Sequence, residues 1–389
     1  PMFQSIRHLI GWNETGIDAE LTDTGTTGFF DVADDQAEFL LNPILLDSVG
    51  QLTAYWVGHI KEGRFSTFPS RVRRIELLNP TVETTAGCTL RGRVQFSDDS
   101  RSLRGDFDCV DRDGRALFRV WDWGDVFLEV PERFDDVRVR PREGWLGQDW
   151  SAHLPGLPAR SIVWLVPALD PRFLEDIGAI SRRLLAQTVL SETERPTWTE
   201  LRDDPRRSVD WLMGRIAAKE AVRCWYLQHT GHLLFPADIV IVNDEYGRPG
   251  VREAGLEALG PPPQISVSHA NGTSVAIAAP PQVQVGIDLE PMGRSSSSDL
   301  LRSAFAESEQ RHVADATAEG LEELVLRMWC AKEATAKSLG TGLNGDPHAF
   351  EVRNISSAGH FAVVGAKGLE VPVQLCRVDD QIIAVAAVG

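Results

Sequence analysis

The chain has 389 residues, of which 43% are hydrophobic and 24% charged, an ordinary globular composition long enough for two domains. Its formal net charge of −17 argues against a general affinity for nucleic acid or anionic membranes, so an acidic partner would have to dock on a local basic patch. The five cysteines lack a CxxC or zinc-like spacing, and neither a signal peptide nor a membrane span is recognisable, which predicts a cytoplasmic protein. A chain that begins at Pro1, without an initiator Met, is expected to be part of a longer protein.

Residues 1–140 predict an α+β domain with one helix and several strands. Apolar residues recur at helical spacing after Pro43, at Leu45, Val49, Leu52 and Trp56. Strand patterns follow at residues 71–78, 89–96, 106–110 and 116–120. One helix followed by a long antiparallel meander predicts a sheet wrapped around a central helix, the hotdog arrangement.

Asp47 and Gln51 stand four residues apart on this helix, so both project from one face. A carboxylate in a mostly apolar helix is costly unless it caps, pairs or catalyses. Two interpretations are open: an ordinary first-turn Asp stabilised by the helix dipole, or a catalytic acid.

Four segments resemble the second, C-terminal half of a polyketide synthase dehydratase, closest to that of iterative, enediyne-type synthases. They are Pro1–Ser5, Leu45–Gln51, Phe68-Pro69 and Trp121–Pro131. The resemblance implies that Asp47 works with a His of an HxxxGxxxxP motif in a preceding hotdog half. His59 to Gly63 matches HxxxG by spacing only, because the Pro is absent and the segment follows the Asp helix. The sequence therefore predicts half of a catalytic dyad, which should be inactive by itself.

Residues 141–160 are rich in Gly and Pro and predict a linker, with the second unit covering residues 161–389. Helix patterns in that unit cover residues 173–189, 209–229, 300–315 and 321–339, and strand patterns cover 161–166, 239–242, 264–268, 275–278, 282–290, 361–364, 371–377 and 381–388. Two successive halves, 161–260 and 261–389, predict a pseudo-duplicated α+β domain. Along the second helix, Arg215, Lys219 and Arg223 form a cationic stripe, interpreted either as a solvated face or as an anion-binding edge.

Asp288 and Glu290 are two residues apart on the strand pattern 282–290, so their carboxylates converge. Glu333 and Lys337 share one face of the helix pattern 321–339. Converging carboxylates repel unless a cation lies between them, and oxygen ligands favour Mg²⁺. By spacing alone, a Mg²⁺ site and a set of surface ion pairs remain equally good interpretations.

The motifs SVSH (266–269), VGIDLE (285–290), WCAKEATAK (329–337) and the upstream YGRP (246–249) together resemble the 4′-phosphopantetheinyl transferase superfamily. The size and two-half layout resemble its surfactin-synthetase-activating class. The resemblance implies transfer of phosphopantetheine from coenzyme A to a serine of an acyl carrier protein domain, with release of 3′,5′-ADP. It implies that Asp288, Glu290 and Glu333 hold Mg²⁺, that Glu333 also deprotonates the serine, and that Lys337 assists the leaving phosphate.

The same resemblance implies contacts to coenzyme A from Ser268, His269, Arg215 and Arg248, with Lys219 as a weaker candidate. The expected partners are a carrier domain, the missing dehydratase half and the other domains of a synthase. Two alternatives remain. The first unit could dehydrate 3-hydroxyacyl thioesters with Asp47 and a His from the missing half, or it could be a non-catalytic hotdog that docks the carrier.

Overall fold

The computed structural model describes residues 3–22, 40–79, 87–98, 101–201, 204–252, 255–293, 297–314, 318–356 and 359–389. Internal packing divides the chain into two compact units, Pro1–Glu132 and Arg133–Gly389. Pro1 and Met2 of the first dehydratase-like motif lie outside the described residues. In the part of the chain that the structure describes, every helix is too short or too polar to cross a bilayer.

The first unit contains one long helix, α1 (Pro43–Ile60). It begins where the side chain of Asn42 accepts a hydrogen bond from the Ile44 N–H at 2.9 Å, and Pro43 fills the first helical position. The strands are β1 (Ile6–Asn13), β2 (Gly16–Leu21), β3 (Phe65–Arg71), β4 (Arg74–Leu77), β5 (Cys88–Phe96), β6 (Ser102–Asp111) and β7 (Ala116–Glu129).

These strands form one antiparallel sheet in the order β1-β2-β5-β6-β7-β3, with β4 also paired to β7. The apolar face of α1, centred on Leu52 and Trp56, is fully buried against the inner face of the sheet. A sheet wrapped around one helix is the hotdog fold, which confirms the predicted fold class. The sequence pattern missed β1, β2 and β3.

A buried carboxyl lies between α1 and the sheet. Asp125 on β7 is fully buried and accepts hydrogen bonds from the Thr53 hydroxyl of α1 and from Trp123 Nε1, the latter at 2.9 Å. Burial raises the pKa of Asp125, although both hydrogen bonds act in the opposite direction.

The second unit contains helices and strands in two successive groups. The helices are α2 (Glu132–Val139), α3 (Pro171–Val189), α4 (Arg195–Leu201), α5 (Pro205–Thr230), α6 (Ser297–Ala304), α7 (Glu307–Gln310) and α8 (Ala318–Ser338). The strands are β8 (Gln148–Asp149), β9 (Ile162–Val166), β10 (Ile241–Asn243), β11 (Pro249–Val251), β12 (Gln264–Ala270), β13 (Thr273–Ala279), β14 (Gln284–Pro291), β15 (Phe350–Ile355), β16 (Phe361–Ala366), β17 (Leu369–Val378) and β18 (Gln381–Val388).

Two larger antiparallel sheets carry these groups, in the orders β12-β13-β9-β8 and β14-β18-β17-β16-β15, while β10 pairs with β11. Helix α5 packs on the first sheet and α8 on the second. The apolar faces of β12, β13 and β14 share one core that also includes Leu154 and Ile383. Strands β12 and β14 lie side by side, so side chains of the two halves meet there.

A buried lysine ties each half together. In the first half, Lys219 Nζ donates to Glu194 Oε2 at 2.5 Å and to the carbonyls of Val189 and Pro236 at 3.0 and 3.1 Å. Glu194 Oε1 also accepts the Ile241 N–H at 3.3 Å. The Lys219 side chain is completely buried.

In the second half, Lys332 Nζ donates to Glu309 Oε2 at 2.9 Å and to the carbonyls of Ala304 and Pro347 at 2.7 and 3.1 Å. Glu309 Oε1 accepts the Val352 N–H at 2.8 Å. Both lysines stand in the sequence Ala-Lys-Glu-Ala, at 218–221 and 331–334. The matching contacts support the predicted duplication at the level of individual residues.

The segment predicted as a linker, residues 141–160, belongs to the second unit. The fully buried carboxylate of Glu220 accepts the N–H groups of Leu146 at 2.7 Å and Gly147 at 2.8 Å, and Trp164 Nε1 at 2.7 Å. Arg223 donates to the carbonyls of Arg142 and Gly144, at 2.6 and 3.2 Å. The segment is therefore irregular in backbone but fixed in place, because the α5 side chains Glu220 and Arg223 bind its backbone groups.

Two of the three residues of the cationic stripe therefore lie in the interior and form neither a solvated face nor an anion-binding edge. Lys219 and Arg223 are fully buried, and Arg215 is half-buried. The bounds of the helix pattern 300–315 are also wrong, because α6 ends at Ala304 and a separate turn, α7, follows. Glu309 Oε2 accepts the Ala306 N–H at 2.9 Å, so the acid that meets Lys332 also starts the new turn.

Candidate active site

Strand β14 aligns polar side chains on one face. Gln284, Asp288 and Glu290 alternate with Val285, Ile287 and Leu289, which form part of the core. This alternation is the predicted one. The acids therefore stand on a rigid, buried strand rather than on a loop.

Helix α8 approaches this strand very closely because residue 286 is glycine. A Cβ on Gly286 would lie 2.0 Å from the carbonyl oxygen of Ala334 and 2.4 Å from the Ser338 nitrogen. Glu333 and Lys337 project from the same part of α8. The absence of a side chain at position 286 thus allows Lys337 of the helix to reach Asp288 of the strand.

Lys337 and Asp288 form the centre of the site. Lys337 Nζ lies 2.8 Å from Asp288 Oδ1, 3.2 Å from Ser268 Oγ and 3.1 Å from the Ile287 carbonyl oxygen. The Ser268 hydroxyl donates to Asp288 Oδ1 at 3.0 Å. Glu290 accepts a hydrogen bond from Trp329 Nε1 at 3.3 Å, so Trp329 is a partner of the acid as well as a half-buried packing residue.

The charges of the site perturb one another. Burial and the charge of Asp288 raise the pKa of Glu333 to about 7, with Glu290 adding to the rise and Lys337 opposing it. Burial disfavours the charge of Lys337, but Asp288 outweighs this effect and raises its pKa. A cationic Lys337 beside an acid of nearly neutral pKa is suited to proton transfer around pH 7.

The chemistry of the donor set, three carboxylates, suits a divalent cation. Asp288 Oδ2 is buried and has no hydrogen-bond partner among the described residues, which leaves a carboxylate oxygen available as a hard ligand. A cation would also relieve the repulsion that raises the pKa of Glu333. As the side chains stand, no three His, Cys, Asp or Glu groups in the described ranges surround one point at metal-binding distance.

Ser268 and His269 are neighbours on β12 and face opposite ways. Ser268 is buried against Asp288, whereas His269 is exposed on the side of α5, where a Cβ on Gly214 would lie 3.7 Å from His269 Cδ2. His269 lines a cavity of about 660 Å³ together with Arg206, Asp210 and Asn271. Ser268 therefore belongs to the group around Asp288, and His269 belongs to the neighbouring cavity, so the two side chains do not contact the same point.

Arg248 lies in the turn between β10 and β11, and Arg215 of α5 contacts the same hairpin. Arg248 Nη2 donates to Gln284 at the start of β14 and, at 3.4 Å, to Gln264 Oε1 of β12. Arg215 Nη2 donates to Asn243 Oδ1 at 3.2 Å, and its guanidinium lies 4.9 Å from the Trp211 ring centroid. Burial lowers the pKa of Arg215.

The structure contradicts the predicted contact between Lys219 and coenzyme A, because the Lys219 side chain is buried. Its Nζ is enclosed by Glu194 and two backbone carbonyls, and the side chain has no exposed surface. Burial lowers its pKa to about 8, against the pull of Glu194. The Lys–Glu pair holds the first half together instead.

Asp47 is exposed on α1, where its Oδ2 accepts the Gln51 amide at 2.6 Å. Gln51 also donates to the Phe3 carbonyl at 2.7 Å. The shared helix face is as predicted, and the catalytic role of Asp47 stays a prediction.

Two features of this region escaped the sequence analysis. The Ala-Lys-Glu-Ala repeat at 218–221 and 331–334 shows which lysine is structural in each half. Arg206, a lining residue of the His269 cavity, stands at the start of α5 directly after Pro205, beside another arginine. An internal comparison of the two halves could have found the first signal, but nothing local distinguishes Arg206.

The second unit matches phosphopantetheinyl transferases in sequence. Residues 284–386 match the family model of the 4′-phosphopantetheinyl transferase superfamily. The chain is 33% identical over 94 residues to the holo-[acyl-carrier-protein] synthase of Geobacillus kaustophilus (strain HTA426), a match that spans 24% of this chain and 69% of that protein. The chain belongs to the 4′-phosphopantetheinyl transferase superfamily.

The first unit matches a second family. Residues 1–122 match the family model described as polyketide synthase dehydratase N-terminal domain. Among solved structures, the dehydratase domain from the CurJ module of curacin polyketide synthase is 14% identical, with a TM-score of 0.28 over 33% of this chain and 42% of that chain. The PpsC dehydratase domain from Mycobacterium tuberculosis in complex with C12:1-CoA is 19% identical, with a TM-score of 0.27 over 33% and 45%.

The chain thus spans less than half the length of these dehydratase structures. The resemblance to a polyketide synthase dehydratase is confirmed. The family that matches is that of the N-terminal domain of such dehydratases, whereas the sequence motifs resemble the second half. The assignment of this unit to the second half stays a prediction.

Proposed function

We propose that the chain transfers 4′-phosphopantetheine from coenzyme A to a serine of an acyl carrier protein domain and releases 3′,5′-ADP. We further propose that it acts in the cytoplasm as part of a polyketide synthase. The observation that carries the proposal is the joining of Asp288, Ser268 and Lys337 into one hydrogen-bonded group beside Glu333 and Glu290.

Asp288, Glu290 and Glu333 would hold Mg²⁺ in this proposal. A bound Mg²⁺ would supply charge neutralisation on the pyrophosphate of coenzyme A. The free Oδ2 of Asp288 and the mutual repulsion of the acids support this assignment. Trp329 keeps the Glu290 carboxylate oriented.

Glu333 would take the proton of the carrier serine, and Lys337 would donate to the phosphate that leaves. A base is most effective when its pKa is near the working pH, and burial next to Asp288 brings Glu333 to about 7. Lys337 is held by Asp288 and Ser268, so its ammonium is positioned before substrate binds.

The nucleotide part of coenzyme A would occupy the cavity of about 660 Å³ beside His269. Arg206 lines this cavity and would pair with a phosphate group, and His269 would add a further donor. Arg248, on the neighbouring hairpin, and Arg215, on α5 in contact with Asn243 of that hairpin, would contribute positive potential. Ser268 acts on the other side of β12, next to the metal site.

Intact-protein mass spectrometry tests the proposal. Purified protein with Mg²⁺ and coenzyme A should add the mass of one phosphopantetheine arm to an apo carrier domain. The variant Glu333→Gln should add none under the same conditions. The absence of any addition by wild-type protein to several carrier domains, the synthase's own included, would contradict the proposal.

A second candidate function belongs to the first unit: dehydration of a 3-hydroxyacyl carrier thioester with Asp47 as one catalytic acid. Its support is the match of residues 1–122 to a dehydratase family and the surface position of Asp47. The reaction would need a His from another hotdog half. Turnover of a model 3-hydroxyacyl thioester, with and without such a half added, separates this candidate from a non-catalytic docking role.

A further inference from the structure

An arginine-rich cavity lies on the outer face of the sheet of the first unit, and none of the predicted transferase residues lines it. Its volume is about 820 Å³. Trp121 and two acids, Asp106 and Asp122, line the cavity. Four arginines also line it: Arg73, Arg74, Arg93 and Arg104. We call these four residues the arginine cluster.

The two acids of the cavity are engaged in holding the sheet. Asp122 has a left-handed backbone, with φ of 51°, and Asp106 accepts its N–H at 2.9 Å. The Asp122 carboxylate, only 19% exposed, pairs with Arg71 at 2.8 Å. Asp122 is therefore mostly covered at an irregular point of β7, whereas Asp106 is exposed and accepts the backbone N–H of Asp122.

The arginines remain accessible. Arg93 is 86% exposed and its nearest carboxylate, Asp108, is 3.9 Å away. Arg104 is 57% exposed and lies 3.8 Å from Asp122. Arg74 is 61% exposed, although it is paired with Glu76. Such exposed ion pairs contribute little to stability, so the guanidinium groups of the cluster can exchange them for carboxylates of a partner.

The rest of the chain makes this cluster unusual. At a net charge of −17, the protein repels an acidic partner except where a local patch reverses the potential. Cavities for small anions bury their polar groups, whereas these guanidinium groups are mostly exposed and come from three separate segments of the sheet. The arrangement suits a broad carboxylate-bearing surface better than a single phosphate group.

We propose that the arginine cluster docks a carboxylate-rich face of the carrier domain. This inference rests on the proposed function, because the carrier is the protein substrate of the transfer. The exposed face of Trp121 would add an aromatic contact at the centre of the patch. The first unit would then capture the carrier that the second unit modifies.

The test uses the full chain with the triple variant Arg73→Glu, Arg93→Glu and Arg104→Glu. The KM for an apo carrier domain with a carboxylate-rich face should rise about tenfold or more, while kcat and the KM for coenzyme A change less than about twofold. Added salt should raise the wild-type KM and leave that of the variant nearly unchanged. The matched control, Arg7→Glu, Arg112→Glu and Arg115→Glu, reverses three exposed charges of the same unit and should leave the KM unaltered.

An unchanged carrier KM in the triple variant overturns the docking surface and leaves the transfer function intact. An increased KM for coenzyme A overturns it too, since the cluster would then bind the nucleotide. Self-association that the triple variant abolishes, measured by sedimentation, identifies a second copy as the occupant and overturns the carrier. If the wild type transfers nothing, the proposed function fails, and titration calorimetry of the carrier against both proteins still decides whether the cluster binds it.

Discussion

Lys219 and Lys332 occupy equivalent positions in the two halves of the second unit, each bonded to a glutamate and two backbone carbonyls. The next residue in each half is also a glutamate, Glu220 or Glu333. Glu333 faces Asp288, whereas Glu220 is closed off by two backbone N–H groups and an indole. Under the proposed mechanism, the duplication therefore provides one carboxylate for chemistry, Glu333, and one for structure, Glu220.

This difference predicts opposite effects of the same substitution. Glu333→Gln should lower kcat by at least about a hundredfold, because it removes the base, without loss of stability. Glu220→Gln should retain the kcat per folded molecule but lower the free energy of unfolding by about 1–3 kcal/mol, because three buried donors lose a charged acceptor. Kinetics and urea unfolding measured on both variants test this. Equal losses of activity at equal stability would contradict the assignment.

The position of Lys219 yields a second prediction. Lys219→Met leaves Glu194 buried without its charged partner and should destabilise the protein by about 3–5 kcal/mol, with little change in the KM for coenzyme A in the molecules that remain folded. Lys332→Met is the matched variant in the other half and should behave alike. A selective rise of the KM in the Lys219 variant at unchanged stability would restore its assignment as a coenzyme A contact.

The main elements of the fold were predictable because their apolar spacing is regular. Helices α1, α5 and α8 and strand β14 show clear periodicity, and the structure has all of them. The helix pattern 300–315 failed because the helix ends at Ala304 and a new turn begins after Ala306, where the charged Glu309 points inward to Lys332. Tertiary contacts of this kind leave no periodic signal in the sequence.

The site was predictable where two residues share a strand or a helix face. Asp288 with Glu290, and Glu333 with Lys337, follow from spacing alone. Ser268 and His269 are consecutive residues of a strand, so their side chains must point to opposite faces. This alternation separates them, although the resemblance to the transferase superfamily implies that both contact coenzyme A. Burial of Lys219 has no local signal, since nothing next to a lysine on a long helix separates a buried pair from a solvent-facing charge; only the internal repeat Ala-Lys-Glu-Ala points to it.

Magnesium binding predicts a change in stability that can be measured without turnover. If Mg²⁺ binds the folded protein alone, a concentration of one hundred times its Kd should add about 2.7 kcal/mol to the free energy of unfolding. The Tm of wild-type protein should therefore rise with MgCl₂ in the absence of coenzyme A. The variant Glu290→Gln should show a smaller rise, and NaCl at equal ionic strength serves as the control. An equal response of both proteins would exclude Glu290 as a ligand.

Asp47 provides a test that separates the two units. Asp47→Asn should leave the rate of phosphopantetheine transfer within about twofold of wild type, because all the residues proposed for the transfer lie in the other unit. If the chain is supplied with a His-bearing hotdog half, the same variant should abolish any dehydration of a 3-hydroxyacyl thioester. Mass spectrometry of the carrier follows both reactions. Dehydration that persists in the variant would exclude Asp47 as the catalytic acid.

The buried Asp125 predicts a dependence of stability on pH. Because its pKa is raised in the folded state, its favourable contribution is fully present below the unfolded value of 3.8 and is lost as the pH rises through the folded value. The free energy of unfolding of wild type relative to Asp125→Asn should therefore fall with increasing pH, by at most about 1.4 kcal/mol per pH unit. Denaturant unfolding from about pH 4 to about pH 8 measures this difference. Asp113→Asn, in the exposed turn of the same unit, controls for the change in net charge, and a difference that grows with pH would show that hydrogen bonds from Thr53 and Trp123 outweigh burial.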